Sequence, residues 1–156
     1  MKRILTTVAL LALFVSLPGV SLFAQTRDDK AEAKLRAKAL KIHKEVITLD
    51  THNDISTSNF TDAVNYSQEL STQVNLPKMR KGGLDVSWMV VYTGQRPLTE
   101  EGYAAAYKNA IDKFDAIHRL AEKYAPNEIG IALTSNDVRR LVKEGKLVAM
   151  IGVENG

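Results

Sequence analysis

The sequence predicts a parallel α/β fold, and three observations carry that prediction. Helical and extended patterns alternate along the chain. The extended segments are apolar and rich in β-branched residues, as expected of parallel strands covered by helices. No low-complexity stretch or linker interrupts the alternation. Strand, helix, strand, helix, strand in that order implies right-handed parallel crossovers. Periodicity leaves two architectures open, an open doubly wound sheet and part of a (β/α)8 barrel.

Residues 1–24 stand apart from the fold. Lys2 and Arg3 open the chain, residues 4–17 are nearly all apolar, and Pro18-Gly19 breaks the run. Leu22-Phe23-Ala24 then offers a cleavage site before Gln25. That layout is a secretory signal, and its apolar run is short for a bilayer span; an uncleaved anchor is the rival reading. Residues 25–156 form the expected domain, secreted or periplasmic, with no stable membrane anchor after cleavage. Losing Lys2 and Arg3 and no acidic residue takes the formal charge from +3 to +1, so nothing suggests a nucleic-acid surface. Hydrophobic residues at 45% and charged residues at 25% match a globular domain. The chain has no cysteine, which excludes disulfides, thiolate zinc sites and a cysteine nucleophile. Two N-x-S/T sequons, at Asn59 and Asn65, matter only in a glycosylating host. A homodimer is compatible with the sequence.

Residues 27–45 read as the first helix, with Leu35, Ala39, Ile42 and Val46 spaced along one face. Residues 46–49 read as a short strand running into Asp50-Thr51-His52-Asn53-Asp54. The polar stretch 56–72 reads as a long loop with room for a short helix. Gly82-Gly83 opens a second strand over residues 84–92. A long helix follows from Thr99 to about Tyr124, and a shorter one is capped by Thr134 or Ser135, with Asp137 in its first turn and Gly145 just past its end. Residues 147–153 read as the third strand. No glycine-rich phosphate loop follows any strand, which argues against nucleotide binding.

Parallel α/β folds place their chemistry at the carboxyl ends of strands. At the first such end, alternation lets Asp50, His52 and Asp54 project to one side. An imidazole and a carboxylate two residues apart suit one metal ion, at roughly 2.0–2.2 Å from each donor. At the third, Glu154 directly follows an apolar strand. His43 near the end of the first helix and His118 within the long helix read as structural. Trp88 and Tyr92 read as packing between strand and helices. Asp85 and Ser87, polar on a buried strand, have no evident role.

Three segments in register carry a family resemblance. V-I-T-L-D-T-H-N-D-I, N-L-P-K-M-R-K-G-G-L-D-V-S-W-M-V-V-Y-T and E-G-K-L-V-A-M-I-G-V-E-N-G resemble the first three strand regions of the membrane dipeptidases, zinc-dependent enzymes of the amidohydrolase-like class. The likeness extends over roughly residues 42–156. It implies the N-terminal portion of a metal-dependent (β/α)8 barrel, about three strand–helix units, with two Zn2+ ions at the mouth and dipeptides as substrates. Carried over by position, His52 and Asp54 would ligate one ion, Glu154 would bridge both and act in catalysis, and Asp50 would support the ligands from behind. The family usually has glycine where this chain has Thr51, and often where it has Asn155.

The family's remaining histidines lie on later strands. A full barrel needs about 250 residues, and removing 24 from 156 leaves 132. The expectation is therefore a truncated domain, inactive by itself. Two other readings stay open: a metal hydrolase of other amides or esters, and a secreted non-catalytic binding domain on the same scaffold.

Overall fold

The computed structural model describes residues 19–155. Most of the export leader expected at residues 1–24 lies outside them. The chain divides into two compact units, one up to Leu40 and the other from Lys41 onward. Helix α1, Gly19–Glu45, runs through the first unit and supplies the start of the second. It begins eight residues earlier than the periodicity suggested, since nothing between Gly19 and Arg27 breaks a helix. Ile42 and Val46, expected on its buried face, are about half exposed.

The second unit contains β1 (Leu49–Asp54), a 3-10 turn (Thr57–Asn59), α2 (Leu76–Gly82) and β2 (Val86–Tyr92). Then come α3 (Glu100–Arg119), a π-helical turn (Leu120–Tyr124), β3 (Ile129–Ile131), α4 (Ser135–Lys143) and β4 (Leu147–Glu154). The strands are all parallel, in the order β1-β2-β4-β3. The sheet thus has four strands where three were expected. Three residues of β3 fall below the length at which a strand announces itself by pattern. The first strand is also displaced: it contains the D-T-H-N-D segment, which was expected to follow it.

Helix α2 was missed as well, although its signals are in the sequence. Asn75 caps it, with Oδ1 accepting from the Lys78 amide, and Pro77 sits in its first turn. Asn75 is fully buried, and its Nδ2 donates to the Leu70 carbonyl and the Thr72 hydroxyl. Gly83 ends α2 at φ 68°, where a Cβ would lie 2.7 Å from His43 Nε2. That histidine contacts the Gly82 carbonyl at 3.0 Å. His43 is a structural residue at the base of β2. Asp85 is explained in the same place: its Oδ2 accepts from the Thr48 amide and hydroxyl, at 2.9 and 3.1 Å, tying the entry of β1 to that of β2.

Connection handedness determines which face each helix covers. The steps β1 to β2 and β2 to β3 advance across the sheet, whereas β3 to β4 steps back. Right-handed crossovers therefore send α4 to the face opposite α2 and α3. The core agrees. Met79 of α2, Ala116 and Ile117 of α3 and Leu120 pack with Met89, Val91 and Ala149 on one face. Val138, Leu141 and Val142 of α4 pack with Val86, Val148, Trp88 and Met150 on the other. Helix α4 thus occupies the amino-terminal half of that second face and leaves the carboxyl end open. Its start is a capping box: the Thr134 hydroxyl accepts from the Asp137 amide, and Asp137 accepts from the Thr134 amide.

Two outcomes follow. Gly83→Ala should lower stability by about 1–2 kcal/mol in chemical denaturation, the cost of a left-handed Cβ plus displacement of His43. Bonds from Thr134 hold the Asp137 carboxyl below its ordinary range. A depressed folded pKa stabilises at neutral pH and loses that contribution as pH falls through the folded value. Asp137→Asn should therefore flatten the acid end of the stability curve below about pH 4, leaving its neutral-pH shape unchanged.

Candidate metal centre

The site begins with a register slip in β1. Leu49 and Asp50 pair with Val86 and Ser87, but Asn53 and Asp54 pair with Met89 and Val90. Three residues of β1 therefore advance against two of β2, a bulge at Thr51-His52. The extra residue inverts the alternation. Asp50 shares the face of Ser87 and Met89, while Asp54 shares the opposite face with Val90. The expectation that Asp50, His52 and Asp54 project to one side is corrected accordingly: Asp50 is out of phase with the other two. It still meets His52 through the backbone, its Oδ1 accepting from the His52 amide at 3.1 Å.

Glu154 arrives from the other side of β2. It closes β4, paired with Tyr92, and so lies on the face of Val90. His52 Nε2 is 3.3 Å from Glu154 Oε2 and 3.6 Å from Asp54 Oδ1. One donor atom from each of the three lies within 4.8 Å of the others. Among the described residues, this is the group of histidine and carboxylate donors that meets at one point.

One imidazole nitrogen and two carboxylate oxygens make a donor set suited to zinc and to several other divalent ions. Donors that share a zinc ion at roughly 2.0–2.2 Å stand roughly 3–3.5 Å apart. The two distances from His52 Nε2 lie close to that range. All three side chains are about half exposed or more, so an ion could reach them from solvent. The residues present therefore fit a metal ion.

A cleft of about 440 Å³ adjoins the group and is walled by the loop of residues 56–74. His52 and Asp54 line it together with Asn53, Tyr66 and Gln73. The loop is pinned from behind. Phe60 and Tyr66 stack with ring centres 4.5 Å apart, and the Tyr124 hydroxyl donates to the Phe60 carbonyl and to Asp62. The π-helical turn presents Tyr124 and Lys123, and their bonds hold the Asp62 carboxyl below its ordinary range, the bond from Lys123 first. Burial pushes the Tyr66 phenol up, so at neutral pH it remains a protonated hydroxyl. Asn53 is buried with Nδ2 unpartnered. These cleft residues were not anticipated, and the polar H-N-D run is the one signal that pointed toward Asn53.

Other expectations divide. His118 pairs with Glu122 within its own helical segment, Nδ1 to Oε1 2.8 Å, away from the donor group. Trp88 packs in the α4 cluster as expected. Tyr92 packs only in part: its ring lies beneath the Lys113 ammonium of α3, 5.7 Å from the ring centre, and it stays 41% exposed. Nothing in the structure explains Ser87, whose hydroxyl is sealed and unpartnered.

Residues 36–156 match the family model described as membrane dipeptidase, peptidase family M19. Among solved structures, the chain resembles the probable dipeptidase PvdM from Pseudomonas aeruginosa, with a TM-score of 0.70 and 20% identity over 78% of this chain and 31% of that one. An amidohydrolase from Pseudomonas aeruginosa matches at a TM-score of 0.46 and 16% identity, over 73% of this chain and 27% of that one. The chain therefore spans about a third of the length of the structures it matches. The likeness to PvdM shows the fold. The four-stranded parallel sheet is an incomplete barrel of the same α/β type.

Asp50→Ala removes the acceptor of the His52 amide. Hydrogen exchange at that amide should quicken, while the far-UV circular dichroism stays that of the parent.

Proposed function

The chain belongs to the membrane dipeptidase family, peptidase family M19, and on that footing we propose that it serves a zinc-dependent hydrolysis of dipeptides. The reading is carried by one observation: His52 and Asp54 from β1 and Glu154 from β4 converge within 4.8 Å at the carboxyl end of the sheet. Strand β2 lies between β1 and β4, so direct strand pairing does not bring Glu154 to His52 and Asp54.

In this reading His52 would hold the ion through Nε2, the atom that faces both carboxylates. Asp50 orients His52 by accepting its backbone amide, the kind of outer contact that tunes a ligand's position. Asp54 and Glu154 supply negative charge from opposite sides of β2. A bound divalent ion contributes positive charge that acidifies a water and polarises a scissile carbonyl. Glu154 turns Oε2 toward His52, which leaves its second oxygen to serve a further ion or take a proton from water. The second zinc of the pair needs further donors, since the described residues bring only this one group together. The cleft beside His52 and Asp54, lined also by Asn53, Tyr66 and Gln73, is of a size and polarity suited to a small peptide.

The apolar run at residues 4–17 supports export to the periplasm or beyond. Among the described residues no helix is long and apolar enough to cross a membrane.

Zinc titration of the purified protein tests the reading most directly. The parent should bind Zn2+, and His52→Ala or Glu154→Gln should each weaken binding by more than about 100-fold, beyond the 10–100-fold typical of outer contacts. Failure of the parent to bind sinks the metal reading and leaves a histidine–carboxylate pairing. Where turnover is measurable, hydrolysis of dipeptides supports the substrate class. Turnover confined to N-acyl amino acids would assign a different amide hydrolase, and dipeptide binding that persists unchanged in Glu154→Gln a non-catalytic scaffold.

A further inference from the structure

Asn155 follows Glu154 directly and has φ 59°, the one positive value outside glycine among the described residues. Left-handed backbone disfavours most side chains, and asparagine is among the few that tolerate it. Glycine would meet the backbone requirement alone. The side chain present here makes contacts that glycine cannot.

The ladder between β2 and β4 ends at this point. Tyr92 pairs with Glu154, and the Thr93 amide donates to the Glu154 carbonyl at 3.4 Å. The backbone of Asn155 then turns away, so it cannot offer the next rung. Its carboxamide replaces that rung: Nδ2 donates to the Thr93 carbonyl at 2.7 Å. On the other side, Oδ1 accepts from Gln95 Nε2 at 2.8 Å. One side chain thus grips the loop after β2 at two points, immediately beside the residue whose carboxylate faces His52.

The loop it grips is anchored in turn. Asn109 of α3 donates through Nδ2 to the Tyr92 carbonyl at 3.0 Å and to the Thr93 hydroxyl at 3.3 Å. Thr93 is buried. A continuous path therefore runs from α3 through Thr93 to Asn155 and the end of β4. Glu154 itself is about half exposed, and among the described residues its carboxylate is approached by His52 Nε2 at 3.3 Å but held by no hydrogen bond. Its position rests on the backbone that Asn155 braces.

We propose that Asn155 is a positioning residue for the metal centre: its carboxamide clamps the end of β4 to the loop of residues 93–98 and so sets the Glu154 carboxylate against His52. This rests on the reading of His52, Asp54 and Glu154 as metal ligands.

The test compares the parent with Asn155→Gly, which keeps the backbone conformation and deletes the clamp. Zn2+ affinity is measured by chelator competition, amide hydrogen exchange is followed over residues 93–98, and the unfolding midpoint of the metal-free protein is recorded. Asn155→Gly should weaken Zn2+ binding by about tenfold, at the lower end of outer-contact effects, and speed exchange over residues 93–98. The unfolding midpoint should move little. Gln95→Ala, which deletes one grip, should do the same to a smaller extent, and the double variant should be no worse than Asn155→Gly because both act through one contact chain. Equal Zn2+ affinity in parent and Asn155→Gly overturns the proposal while leaving the metal reading intact. A parent that binds no Zn2+ overturns both. Should Asn155→Gly fail to fold, Gln95→Ala decides, and parental affinity there counts against the clamp.

Discussion

The register slip in β1 is the constraint on which the site depends. A regular strand would carry His52 and Asp50 on one face and give Asp54 the same side, three acidic or basic groups in a row along an edge. The extra residue at Thr51-His52 divides that row. Upstream of it Asp50 faces the side covered by α2 and α3. Downstream of it Asn53 and Ile55 take over that side, and both are buried there. His52 and Asp54 are thereby delivered to the opposite face, where β4 brings Glu154. Bulges re-aim side chains at sheet edges, and this one does so at a strand with no neighbour on its outer side among the described residues.

Strand β2 makes the arrangement rigid. It lies between β1 and β4 with ladder bonds on both sides, and five of its seven residues are buried. The three candidate ligands are largely exposed, so little packing holds their side chains. Their positions come from the backbone ladder beneath them. This division resembles a scaffold with function displayed at its rim, where apolar burial stabilises the core and polar groups at the strand ends remain accessible. Helix α4 reinforces it by filling the amino-terminal half of the second face, which leaves only the carboxyl end for chemistry.

The legible part of the fold was the part written in long, repeated patterns. The long helix from Thr99, the capped helix at Thr134 and the apolar strand before Glu154 all declare themselves by period and by caps. The capping box at Thr134 and Asp137 and the glycine after α4 appear where their residue types require. Short or irregular elements were not legible in the same way. Helix α2 has only seven residues and β3 three, too few for a period to emerge above chance. The candidate ligands His52, Asp54 and Glu154 stood out at strand ends, and the family resemblance supplied their roles. The phase of Asp50 against Asp54 was not legible, because a bulge leaves no trace in residue spacing.

The sequence by itself determined the longer elements, the parallel class of the sheet and the candidate donor residues, because hydrophobic period, cap chemistry and side-chain donors are properties of neighbours along the chain. Only the tertiary structure decided that β3 slips in beyond β4, that α4 crosses to the opposite face, and that Asp50 falls out of phase with Asp54. It also decided that Asn155 reaches Thr93 and Gln95, some sixty residues earlier. Each of these depends on the register between strands far apart in sequence. Register is chosen by the joint packing and hydrogen bonding of several segments at once, and no single segment records it.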